Sequence, residues 1–178
     1  MTRFKVSIAC RVGKQFASYV RSNLRKAHAE LRPPLQELSV ALVGDNEMSK
    51  LHEQFLGVSG PTDVLTFPLE QDDRGRDIAG EVVVCVSEAR RQATINGNSA
   101  RKEVLLYALH GMLHLSGFDD RTPVGFRKMH RTEDEILKQL GIGPVFNPAK
   151  CAGHNIAWSS GVKSARNAKP IRRRAGES

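Results

Sequence analysis

Apolar residues recur along the chain at two intervals, and their alternation with breaks divides it into strands and helices. The pattern predicts a strand near residues 4 to 9, a helix near 14 to 30, and a strand from Glu37 to Val43 after the break at Arg32-Pro33-Pro34. Asp45 or Asn46 is placed to cap a helix through Phe55. An extended segment follows at Asp63 to Leu69, then a loop at Gln71 to Asp77 and a strand at Glu81 to Val86. Ser87 starts a helix that ends at Asn96-Gly97-Asn98, and Ser99 caps the next one. Thr122-Pro123 opens a last helix running to Leu140. The fold class this implies is α+β, a small mixed sheet packed with helices.

The helix after Ser99 carries the candidate chemistry. Val104, Leu105, Leu106, Leu109, Met112, Leu113 and Leu115 recur at helical spacing around His110 and His114. Residues four apart lie one above the other on a helix, so both imidazoles can address one ion. On a continued helix Asp120 would sit about 240° round from His114. Gly117 supplies a stop, because glycine adopts the left-handed C-terminal conformation without penalty and lets the chain fold back. Two imidazoles and a carboxylate leave a coordination position for water, the arrangement of a catalytic zinc site. The metal ligands expected are therefore His110, His114 and Asp120, on a central helix and the turn after it, holding one divalent ion, Zn2+ first. No catalytic acid or base is assigned from the sequence; Ser116, Arg121 and a water are open for assisting roles.

Residues 109–120 resemble the signature of the YbeY family of metal-dependent endoribonucleases, H-G-x-L-H-L-x-G-Y-D-H. Pro61-Thr62-Asp63-Val64-Leu65-Thr66-Phe67-Pro68 is similar to the family's P-T-D-V-L-S-F-P. Ala79-Gly80-Glu81-Val82-Val83-Val84-Cys85 resembles the G-D-I-V-I-S strand that follows it. The resemblance covers residues 35 to 140 and implies a metal helix packed against a small sheet, with a cleft to the ion. It also implies cleavage of single-stranded or loosely structured RNA in rRNA processing and ribosome biogenesis, with rRNA, ribosome precursors and ribosomal proteins as partners. Two departures stand out: Asp120 occupies the position of the family's third metal histidine, and Leu56 that of an arginine thought to assist catalysis. A carboxylate favours harder ions somewhat more than imidazole does. Arg74, Arg76 and Arg121 are the candidates to replace the lost cation. Pro61-Thr62-Asp63 reads equally as a turn into a strand and as part of the cleft.

The 178 residues, 40% of them hydrophobic, suit one domain over 1–143. The net charge of +8 is concentrated in residues 141–178, which hold seven Lys or Arg against one Glu. Residues 144–178 are expected to form a basic, disordered tail able to touch RNA phosphates. The three cysteines, Cys10, Cys85 and Cys151, are odd in number and far apart, which argues against a disulfide framework and for a reducing, cytoplasmic setting. Cys85 is expected in the core, His28 and His52 on the surface, and the Cys151/His154 pair is not read as a metal site. No signal peptide, membrane span, internal repeat or glycine-rich phosphate loop is visible, so neither membrane nor nucleotide cofactor is indicated.

Two other functions compete. The H-x3-H-x2-G-x2-D layout also occurs among zinc peptidases, but those place a glutamate after the first histidine and this chain has Gly111. A non-catalytic, metal-stabilised ribosome assembly factor is the other rival, favoured by Leu56. His130 is a weaker alternative to Asp120 as third ligand, since Asp120 aligns without a gap.

Overall fold

The computed structural model describes residues 4–145. Four strands, β1 (Lys5–Cys10), β2 (Glu37–Val43), β3 (Val64–Gln71) and β4 (Asp77–Cys85), form one sheet in the order β1-β2-β4-β3. The first two pairings are parallel, and β3 meets β4 as an antiparallel hairpin, so the α+β expectation of a small mixed sheet holds. Five helices accompany it: α1 (Ala17–Leu31), preceded by a 3-10 turn at Lys14–Phe16, α2 (Asp45–Leu56), α3 (Val86–Asn96), α4 (Ala100–Leu115) and α5 (Pro123–Gln139).

Strand alternation sorts the core into two layers. Val82 and Val84 of β4 and Val40 and Leu42 of β2 join α1, α4 and α5 in the larger cluster; Val83, Cys85 and Val43 point the other way, toward Met48 of α2. Between Glu103 and Leu115, every α4 residue except His114 is buried, so this helix runs through the interior rather than over the surface. Its apolar residues therefore surround it, as expected of an internal helix. Close approach to the sheet requires Gly111: a Cβ there would lie 2.6 and 2.7 Å from the two methyls of Val82.

Several local expectations are corrected. Gly44, not Asp45 or Asn46, is the cap residue of α2; Asp45 is the first helical residue and accepts both guanidinium nitrogens of Arg91 at 2.8 Å. Ser99 is the cap residue of α4, as expected, but makes no side-chain capping bond, whereas the Thr122 side chain does cap α5, accepting from Gly125 N. Strand β4 begins at Asp77, earlier than its hydrophobic run, because β3 supplies ladder partners back to the turn. His52 is not a surface residue: it is 4% exposed and its Nδ1 lies 2.8 Å from Gly60 O. His28 is half-buried, stacked on Phe4. Among the described residues Cys10 and Cys85 are free thiols, Cys85 fully buried, and no helix is long and apolar enough to cross a membrane. Cys151, His154 and all but the first two residues of the expected tail lie outside the described residues.

Candidate metal centre

The three candidate ligands come together. One donor atom each from His110, His114 and Asp120 lies within 4.8 Å of the others. The imidazole Nε2 atoms of His110 and His114 are 3.0 Å apart, with Asp120 oxygens 3.6 Å from the first and 3.8 Å from the second. Three ligands about 2.0–2.2 Å from a tetrahedral zinc would sit about 3.3–3.5 Å from one another. The side chains are only 3%, 9% and 5% exposed, in the order His110, His114, Asp120.

How α4 ends decides how Asp120 returns. Gly117 takes φ +91°, Phe118 N donates to Leu113 O at 3.1 Å, and Gly117 N donates to His114 O at 3.0 Å. This pair of bonds is a Schellman motif, which glycine permits. The same turn brings Phe118 O to 3.1 Å from His114 Nδ1. Beyond it the chain doubles back so tightly that a Cβ at Gly125 would overlap the Asp119 carbonyl oxygen. Thus one glycine stops the helix, a second admits the return, and the stop itself supplies a partner for a histidine.

The other histidine is oriented from α5. His110 Nδ1 lies 2.7 Å from Glu133 Oε1, and His130 Nδ1 lies 2.6 Å from Glu133 Oε2. Glu133 is completely buried. Burial pushes its carboxyl upward, but the hydrogen bonds from His110 and His130 outweigh it and hold the group below the ordinary range, hence ionised. A carboxylate and a carbonyl can only accept, so both Nδ1 atoms must donate. In the neutral rings both Nε2 atoms then carry lone pairs, facing each other at 3.0 Å. Asp120 Oδ1 is buried beside them without a hydrogen-bond donor. Three electron-rich atoms turned inward, one of them a carboxyl oxygen with no hydrogen-bond donor, suit a cation. The donor set thus fits a divalent metal ion.

Titration reflects the same crowding. Burial and the neighbouring His110 charge lower His114. For His110 burial acts downward, yet the Glu133 bond and charge leave it raised. Asp63 is raised by burial, opposed by the nearby His110 charge. Its Oδ1 accepts from Val64 N at 2.8 Å and Thr62 Oγ at 2.9 Å, so it closes the turn into β3 while standing beside the centre.

The remaining candidates separate. His130 bonds to Glu133, and its ring centroid is 6.2 Å from that of His110, outside the ligand cluster. Ser116 donates its hydroxyl to Met112 O at 2.7 Å. Leu56 packs against the Met48 layer under α2, which gives it an apolar role. Arg76 pairs with Asp72 within the β3–β4 turn that also carries Arg74. Arg121 pairs with Asp119 and also feels the charge of Asp120, which puts it nearest the centre of the three. Glu133 was missed by sequence reasoning; the signal was a carboxylate in register with Met129, Ile136 and Leu137 on the buried stripe of α5.

Comparison with known proteins identifies the family. Residues 5–141 match the family model described as Endoribonuclease YbeY. The chain is 38% identical over 130 residues to Endoribonuclease YbeY of Beutenbergia cavernae, covering 69% of this chain and 85% of that protein. It is 39% identical over 132 residues to the protein of the same name from Kineococcus radiotolerans, covering 68% and 75%. The solution structure of TM1509 from Thermotoga maritima superposes with a TM-score of 0.56 at 29% identity, over 76% of this chain and 91% of that one. Motifs, fold and relatives converge, and the chain belongs to the YbeY endoribonuclease family.

Proposed function

We propose that the chain is a metal-dependent, single-strand-specific endoribonuclease of rRNA processing whose ion, zinc, is held by His110, His114 and Asp120. The observation that carries this reading is the approach of the His110 and His114 Nε2 atoms to 3.0 Å beside the orphaned Asp120 oxygen. When bound, the ion supplies a polarised phosphoryl oxygen and an activated water. The chain's own residues prepare the rest. Glu133 and Phe118 O hold both rings in the tautomer that presents Nε2 inward. Arg121, released from Asp119, offers a guanidinium to a phosphodiester at the rim, where charge accumulates in the transition state.

The peptidase alternative is disfavoured by packing as well as composition. A Cβ at Gly111 would lie 2.6 Å from a Val82 methyl, so a glutamate at that position would collide with the sheet. The assembly-factor reading keeps one supporting observation, the apolar packing of Leu56 where the family resemblance implies a catalytic cation. In this account the domain ends near residue 143, the tail is basic, ribosomal proteins join rRNA as partners, and the setting is cytoplasmic.

The full-length, zinc-loaded protein incubated with ribosomal RNA should cut it, lose the cutting on chelation and regain it on zinc return. Asp120→Ala should lower bound metal per chain and abolish the cutting. RNA binding without chelator-sensitive cutting would replace the enzyme with the assembly factor.

A further inference from the structure

Charge is segregated within the folded part. Residues 4–32 carry seven Lys or Arg against Glu30 alone, whereas residues 33–81 carry ten Asp or Glu against three cations. The first group builds β1, at one edge of the sheet, and α1. Arg90 of α3 and Arg101 of α4 extend it: their guanidiniums sit over the rings of Phe16 and Tyr19, 5.9 and 5.2 Å from the centroids.

Local rules oppose this placement. The 3-10 turn and α1 have no acidic residue in their first turns, although a helix N-terminus favours anions, and Lys14 stands there instead. Arg21 and Arg25 are a like-charge pair four residues apart, which destabilises a helix. Among the described residues the ion pairs engage Lys5, Arg11, Arg76, Arg91 and Arg121, and Lys14, Arg21, Arg25, Arg90 and Arg101 are among the fourteen other Lys and Arg without an ion pair. Locally unfavourable charges retained together point to an external anion. The aromatic seats hold two of the guanidiniums in fixed positions, which reduces the entropy lost when they bind.

Resting on the endoribonuclease reading, we infer that this surface of Lys14, Arg21, Arg25, Arg90 and Arg101 is a second RNA-docking platform, gripping phosphates of the strand away from the cleavage point. Along α4, Arg101 stands about 14 Å from His110 at 1.5 Å per residue. The platform therefore engages a strand that extends past the metal centre and leaves a short fragment ungripped.

The test uses the full chain and a fluorescent single-stranded RNA of about 20 nucleotides, beyond the usual 4–16 of one binding module. Each phosphate contact adds about 0.7 to the slope of log affinity against log salt. The triple variant Arg21→Gln/Arg90→Gln/Arg101→Gln should lower that slope by about 2, and each single variant by about 0.7. Lys50→Gln, an exposed cation of α2 on the opposite face of the sheet, should leave it unchanged. Arg21→Lys/Arg90→Lys/Arg101→Lys should restore it. A wild-type slope in the Gln variants, or an equal loss in Lys50→Gln, overturns the platform. Wild-type cutting of the same RNA, followed with and without chelator, is scored separately: if it fails, the endoribonuclease reading falls whatever the slopes show.

Discussion

Glu133→Gln is the most informative single substitution, because it exchanges one carboxylate oxygen for an amide nitrogen and leaves the shape intact. The carboxylate accepts two N–H groups, His110 Nδ1 at 2.7 Å and His130 Nδ1 at 2.6 Å. An amide offers one acceptor and one donor. One histidine must then turn its Nδ1 into an acceptor and move its proton to Nε2. Where that histidine is His110, the atom aimed at the metal loses its lone pair. Hydrogen bonds to charged groups are worth about 1.5–3 kcal/mol, and partners of metal-bound histidines typically control affinity by about 10- to 100-fold. Zinc affinity of Glu133→Gln, measured by competition with a chromogenic chelator, should fall within that range. Glu135→Gln, an exposed neighbour on α5, serves as control. A folded Glu133→Gln protein that binds zinc within about twofold of wild type, although nitrogen NMR shows the His110 proton on Nε2, would refute the tautomer argument.

Three further outcomes follow from the same geometry. Gly111→Ala should cost about 1–2 kcal/mol in urea unfolding, as overpacking against Val82 exceeds the gain of about 1 kcal/mol in helix propensity, and Val82→Ala in that background should recover part of it. Cys85 is pushed up to about 11 by burial, so between pH 9 and 11 the unfolded thiol ionises while the native one stays neutral. The unfolded state then binds fewer protons, and stability should fall by about 2–3 kcal/mol as pH rises through that window, a component absent from Cys85→Ala. Arg121→Ala should reduce kcat for RNA while leaving bound metal per chain unchanged; a parallel loss of metal would make Arg121 part of the site's framework instead.

The parts of this protein legible in its sequence were those fixed by local rules. The spacing of His110 and His114, the stop at Gly117 and the cap at Thr122 each depend on a few neighbouring residues, and the structure has all three. The parts that were not legible depend on distant contacts. Strand order places β4 between β2 and β3, a choice that no single strand encodes. His52 looks like a surface histidine until the loop at Gly60 covers it. Glu133 lies 23 residues from the histidine it orients, and only the docking of α5 on α4 makes it part of the centre. Gly125 is dictated by the return of the chain at Asp119, a contact absent from either helix alone.

Anomalous diffraction at the zinc edge from crystals of the zinc-loaded protein bears most directly on the convergence of His110, His114 and Asp120. One strong peak per chain is expected, about 2.0–2.2 Å from both Nε2 atoms and an Asp120 oxygen. A peak at other residues, or one that leaves Asp120 outside bonding distance, would contradict it.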